Sequence, residues 1–153
     1  MSLQDFTRQV ERGNNMKVIY EESHTAEVLD QLADYLRGIR QHFTLPLDFS
    51  GMTPFQVNVL KYTCQIPYGE TLSYKDIAVK VGNEHAARAV GRVEATNPIP
   101  LIIPCHRVLG SDGSLHGYGG PGGIKLKAWL LQLEKSTVKN KSAGGAPAEN
   151  LNS

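Results

Sequence analysis

The sequence is poor in everything that would mark a secreted or membrane-embedded chain. Its 153 residues include two cysteines, and Cys64 and Cys105 lie too far apart for a CxxC pair or a zinc-finger ligand set. Sparse thiols of this kind fit an intracellular protein whose cysteines stay reduced. No apolar run is long enough to cross a bilayer, which removes a membrane partner from consideration. The opening stretch MSLQDFTRQVERGNN lacks the apolar core of a secretory signal. Charge of one sign is missing too: 16 basic and 15 acidic side chains leave a formal net charge of +1. Composition alone therefore announces no nucleic-acid binder. No cofactor is implied, and the residue pattern gives no reason to invoke a metal.

What is present fits one globular domain, with or without a small appendage: 41% of residues are hydrophobic and 20% charged. Residues 26–40 place Leu29, Leu32, Leu36 and Ile39 at helical spacing, with Thr25 or Ser23 as cap and Arg37 and Arg40 near the end. With one strand at KVIY, residues 1–50 form a short N-terminal segment too small to hold a core alone. Thr53-Pro54 is a second helix start, followed by Phe55, Val59, Tyr62 and Ile66 on one face. Cys64 falls inside that helix and reads as a buried structural residue. Pro67, Tyr68 and Gly69 break it; Thr71 or Ser73 starts the next, which Gly82 stops.

A further helix over 84–95 then ends before Asn97-Pro98, so helices at 73–81 and 84–95 read as a helix-turn-helix pair. Ala86, Ala87, Ala89 and Gly91 bracket Arg88 there. A face with so little bulk can approach another surface closely, leaving one arginine projecting; tight helix packing with a solvated Arg88 explains it equally well. Residues 85–135 hold six basic side chains (Arg88, Arg92, Arg107, Lys125, Lys127, Lys135) against three acidic ones, a modest excess that could meet phosphates. Glycines from 117 to 123 form a flexible loop around Tyr118, whose backbone N–H groups a ligand could reach. The helix IKLKAWLLQLE follows, with Trp129 expected in the core, and 136–153 reads as a disordered tail.

The chemistry concentrates at IPLIIPCHRVL, residues 99–109. Leu101, Ile102 and Ile103 look like a short buried strand between prolines, ending at Cys105-His106-Arg107. Cys105 is either one more core residue or a nucleophile. A thiol in an apolar pocket needs a base, cation or helix terminus to become one. His106 supplies a base if the chain turns at 105, because neighbours on an extended strand point to opposite faces. Glu134 is the carboxylate best placed to orient the imidazole, unless it is a surface acid at a helix end.

PCHRV, preceded by AARAVG and NP and followed by a GY-containing glycine loop and the KAWLL helix, resembles the O6-alkylguanine-DNA alkyltransferases, the methylated-DNA–protein-cysteine methyltransferases. The match runs from TPFQ at 53 to Glu134. The resemblance implies an α+β fold, with a mostly helical, winged-helix-like C-terminal DNA-binding domain at 51–135 and a reduced N-terminal segment. It implies a suicidal DNA-repair reaction in which Cys105 takes the alkyl group from guanine O6 once and keeps it. His106 would draw the thiol proton through a bound water, with Glu134 holding the ring. Tyr74 would offer its hydroxyl to guanine N3 and help rotate the nucleotide out, and Arg88 would fill the gap in the stack. Ala86 and Ala87 would meet the DNA, and Asn97 would brace the turn into the active-site strand. Tyr118, Gly119, Gly120 and Glu94 would line the pocket.

The implied partner is double-stranded DNA carrying O6-alkylguanine, bound by a monomer through the minor groove without sequence specificity; O4-alkylthymine is a second candidate lesion. Localisation would be cytoplasmic in a prokaryote and nuclear in a eukaryote. The chain departs from the family in its shorter N-terminal segment, in Glu94 where relatives carry a small or apolar residue, in Gly119 where some carry serine, and in a longer glycine loop. Three rivals remain: an alkyltransferase-like lesion binder, which would lack the cysteine; a cysteine hydrolase, which would turn over and need an oxyanion hole; and a helix-turn-helix regulator with an inert thiol.

Overall fold

In a computed structural model, residues 22–116 and 123–144 are described, with Gln4 and Arg8 as isolated positions. The described elements are α1 (Glu22–Leu36), α2 (Pro54–Cys64), β1 (Leu72–Ser73), α3 (Tyr74–Lys80), α4 (Ala87–Ala95), a 3-10 turn at Cys105–Arg107, β2 (Val108–Leu109) and α5 (Gly123–Gly144). The strands pair in parallel, Leu72 beside Val108 and Ser73 beside Leu109. This small ladder ties the start of α3 to the chain leaving the 3-10 turn. The architecture is mostly helical with a minimal sheet.

The helix starts follow local chemistry. Thr53 Oγ1 accepts the Gln56 N–H at 3.2 Å while Gln56 Oε1 accepts the Thr53 N–H at 2.9 Å, with Pro54 at the first helical position. Ser73 and Asp76 repeat the reciprocal cap at α3, at 3.0 and 2.8 Å. Such caps stabilise a helix by about 1 kcal/mol. Of the two cap candidates for α3, Ser73 is the one used.

Two apolar clusters result. Val59, Leu60, Ile77 and Val90 bring α2, α3 and α4 together around Ile103 and Val108, which flank the 3-10 turn. Each such aliphatic side chain stabilises the fold by about 1.5–3 kcal/mol when fully buried. The second cluster joins Tyr35 of α1, Tyr68, Cys105 and Leu130 of α5.

Several expectations need correction. Helix α1 already includes Glu22, so Thr25 and Ser23 lie within it rather than capping it. Its leucine stripe is not the buried face: Leu29 is 60% exposed and Ile39 64%, while Gln31 and Tyr35, one turn apart, point inward. Gln31 exchanges side-chain and backbone hydrogen bonds with Thr44, and Tyr35 reaches polar partners described below. Residues 101–103 form no strand; Leu101 adopts φ +74°, and the chain turns there. Cys64 is exposed, one position past buried Thr63 and so rotated off the inward face of α2.

Trp129 is half exposed because the inward face of α5 is Lys127, Leu130 and Glu134. Arg107 and Lys127 are buried, which takes them out of the basic surface excess. Helix α5 continues to Gly144, so 136–144 are helical rather than a tail. The KVIY strand lies outside the described residues.

Candidate active site

The turn into the site is built by Asn97. Its Nδ2 donates to the Ile103 carbonyl at 3.0 Å and its Oδ1 accepts the Ile99 N–H at 3.0 Å, closing the loop on which Leu101 takes its left-handed conformation. Pro104 follows, and its carbonyl accepts the Arg107 N–H at 2.9 Å. A 3-10 turn sends successive side chains about 120° apart. Cys105, His106 and Arg107 are therefore all buried, at 4%, 0% and 6% exposure, yet face different neighbours.

On one side lies a carboxylate with a full set of donors. Glu134 is fully buried. Its Oε1 lies 2.8 Å from His106 Nε2 and accepts the Tyr35 hydroxyl at 2.7 Å and Arg107 Nη2 at 2.7 Å. Its Oε2 accepts Arg107 Nε at 3.0 Å and the Gly69 N–H at 3.1 Å. Burial opposes its ionisation, but the His106 and Arg107 donors outweigh it and hold the carboxyl down at about 2. Arg107 also donates to the Ile66 carbonyl at 2.8 Å and stacks over Tyr68 at 5.5 Å. Burial lowers the pKa of His106 despite Glu134, so the ring rests neutral. Its Nδ1 is buried and has no partner among the described residues.

On the other side the groups are less satisfied. Burial pushes the Cys105 thiol up to about 11; Asn97 and Lys127 ease this and Glu94 worsens it. The resting sulfur is thus a protonated thiol. Glu94, 3% exposed, accepts a hydrogen bond from the Thr63 hydroxyl, while its Oε2 is buried with no partner among the described residues. Burial raises its carboxyl to about 7. Lys127 Nζ donates to the Val108 carbonyl at 2.7 Å and the His116 carbonyl at 3.0 Å, with Tyr74 Oη at 3.4 Å. The Tyr74 hydroxyl donates to the His116 carbonyl at 3.2 Å, and burial raises its pKa to about 12. Outside Tyr74 lies an open cleft of about 700 Å³ between α3, α4 and residues 110–116, with Arg88 on its wall.

A family profile described as "6-O-methylguanine DNA methyltransferase, DNA binding domain" matches residues 54–136, more than half of the chain. The chain belongs to that family. It is 49% identical over 113 residues to the methylated-DNA–protein-cysteine methyltransferase of Methanosarcina barkeri, covering 74% of this chain and 70% of that protein. The constitutive enzyme of Bacillus subtilis is 45% identical over 121 residues, covering 79% and 72%. Among solved structures, Mycobacterium tuberculosis OGT in complex with DNA superposes with a TM-score of 0.69 at 50% identity, over 73% of this chain and 68% of that one.

Within this methyltransferase fold, the residues expected at the site divide into three groups. Cys105, His106, Glu134 and Asn97 converge on the 3-10 turn, and Glu94 and Tyr74 interact electrostatically with the thiol. Arg88 is exposed and Ala87 half-buried at the cleft wall, whereas Ala86 is packed in the main core and is not available at the surface. Tyr118, Gly119 and Gly120 lie outside the described residues. Sequence reasoning missed Tyr35, Arg107 as the carboxylate's counter-ion, and Lys127 as the buried ammonium. The adjacency of Arg107 to His106 was the available signal for the first ion pair; nothing in α1 marked Tyr35.

Proposed function

We propose that the protein is a DNA-repair methyltransferase, a methylated-DNA–[protein]-cysteine S-methyltransferase acting on O6-methylguanine in damaged DNA. The observation that carries this reading is a buried thiol on the same tight turn as a neutral imidazole, whose far nitrogen is anchored to an ionised carboxylate. Cys105 Sγ attacks the alkyl carbon in line with its bond to O6. The carbon–sulfur bond forms as the carbon–oxygen bond breaks, and the electron pair passes to the guanine ring. The thiol proton leaves during the reaction, since burial disfavours a standing thiolate. His106 Nδ1 takes it, through a water molecule, and Glu134 stabilises the imidazolium that results.

Lys127 lowers the cost of negative charge on sulfur. Tyr74 is the donor to guanine N3, for which its hydroxyl exchanges the His116 carbonyl. The thioether is stable to hydrolysis and no group among the described residues is arranged to cleave it, so each molecule acts once.

The α3–α4 pair serves as the helix-turn-helix of a winged-helix-like domain. Helix α4 faces the minor groove, without sequence specificity, and the protein acts as a monomer. Arg88 enters the stack where the extruded nucleotide was, offsetting part of the few kcal/mol of unstacking. Tyr118, Gly119, Gly120 and Glu94 complete the pocket. The test is intact mass after incubation with an oligonucleotide carrying O6-methylguanine. One gain of about 14 Da on the Cys105 peptide, one methyl replacing one hydrogen, and product stopping at one equivalent are expected; Cys105→Ala should show neither. An unmodified protein beside an intact lesion overturns the reading.

A further inference from the structure

Tyr35 stands on α1, outside the stretch that matches the family profile, and the transfer reaction as drawn does not use it. Yet it is fully buried with its hydroxyl inside the Glu134 cluster. We propose that Tyr35 is a positioning residue for this reaction: its hydroxyl shares Glu134 Oε1 with the imidazole, holds the ring proton on Nε2 and keeps Nδ1 free as the base. The use made of that base rests on the alkyltransferase reading; the geometry does not.

Protons and lone pairs fix the arrangement. A phenol has one proton to donate and two lone pairs. Tyr35 Oη lies 2.7 Å from Glu134 Oε1 and 3.3 Å from His106 Nε2. Glu134 is ionised, so the phenol proton goes to the carboxylate. Burial, and the carboxylate itself, raise the phenol's pKa, so that proton stays on oxygen. What Tyr35 turns toward His106 is a lone pair. Nε2 thus faces two acceptors, Glu134 Oε1 at 2.8 Å and Tyr35 Oη at 3.3 Å. Protonated, it satisfies both; bare, it would set lone pair against lone pair in a dry interior.

A second effect follows from sharing one oxygen. Glu134 alone would favour a second proton on the ring, because a carboxylate stabilises imidazolium. With Tyr35 and Arg107 both drawing on Oε1, that attraction is tempered. The other groups facing the ring act in the same direction: Arg107 on the same turn and Lys127 on α5 are both cationic. Tyr68, from the loop after α2, packs edge-on against Tyr35 and under Arg107, and brings no charge. Tyr35 therefore helps His106 to rest as a neutral base.

Tyr35→Phe removes one oxygen and leaves the ring packing in place. Long-range proton–nitrogen NMR of the His106 ring, assigned against His106→Gln, reads the tautomer directly. The wild-type ring should carry its proton on Nε2. In Tyr35→Phe the ring should become protonated at a pH higher by about one unit. The acid limb of the transfer rate should move up with it, several-fold slower near pH 6 and close to wild type above pH 8. An unchanged ring titration in Tyr35→Phe, whatever happens to its melting temperature, overturns the proposal, as does a wild-type ring protonated on Nδ1. If Tyr35→Phe does not fold, 3-fluorotyrosine in place of tyrosine, a stronger donor to Oε1 that keeps the ring in place, should lower the pH of ring protonation, and an unchanged titration overturns the proposal. A wild type that transfers no methyl group would instead sink the function, leaving the tautomer result standing.

Discussion

Glu134 and Glu94 are the same residue type at nearly the same depth, 0% and 3% exposed. One is held down at about 2 and the other pushed up to about 7. The difference lies in donors. Glu134 receives hydrogen bonds from His106, Arg107, Tyr35 and Gly69, whereas Glu94 has the Thr63 hydroxyl and an oxygen with no partner among the described residues. Depth sets the size of the desolvation penalty, and the surrounding N–H and O–H groups decide whether it is overcome. The protein thus keeps a settled charge cluster around His106 and an adjustable carboxyl that acts on Cys105.

The contrast can be broken most forcefully at Glu134. Glu134→Ala strands Arg107 without its counter-ion and should cost about 3–5 kcal/mol in urea unfolding, with transfer lost. A cost under about 1 kcal/mol would mean that the cluster contributes little. Acid should expose the same group: its pKa is depressed, so its stabilisation is present above the ordinary carboxylate value of 4.5 and is lost as pH falls toward 2. Glu134→Gln should flatten that acid limb.

Arg88→Ala comes next and acts at the open face. Repair of paired lesions should fall roughly tenfold or more if, as proposed, Arg88 replaces the extruded base in the stack. Reaction with free O6-benzylguanine and the melting temperature should hardly change. Equal losses on both substrates would remove Arg88 from that role.

Glu94→Gln should be milder and of opposite sign to Glu134. Its pKa is raised, so its favourable contribution is full below the ordinary carboxylate range and is lost as pH rises through about 7. The variant should therefore gain stability relative to wild type between pH 5 and 8, by on the order of 2 kcal/mol. Cys105 should also react several-fold faster with iodoacetamide at pH 8, and equally at pH 5, because the ionised carboxylate raises the thiol's pKa. Gly69→Ala should have the smallest effect. Gly69 has φ +81° and an added Cβ would come within 2.8 Å of Val138 Cγ2, a cost of about 1 kcal/mol by thermal melting.

Much of this was legible in the sequence. The caps at Thr53 and Ser73 announced α2 and α3, and PCHRV with Glu134 picked out side chains that the structure brings together, because local hydrogen bonding and motif spacing are sequence properties. The face of α1 was not legible. Its leucines suggested one buried side, but Tyr35 is drawn inward by a carboxylate 99 positions away. Trp129 was misplaced for a related reason: on α5 a buried lysine and glutamate take the inward positions that an apolar pattern assigns to hydrophobic residues. The small-residue pattern around Arg88 was right about a close-packed helix, though Ala86 serves the core. In both helices, hydrogen bonds between buried polar groups distant in sequence override the apolar periodicity.

The order of the cluster along the chain has a consequence for synthesis. Tyr35, Gly69, His106 and Arg107 all leave the ribosome before Glu134, and all four converge on its two oxygens. A nascent chain that has displayed Cys105 still lacks the carboxylate that gathers His106, Arg107 and Tyr35, and the cluster closes only once α5 is made. On the proposed reading, a half-made molecule has no organised base with which to spend its one turnover.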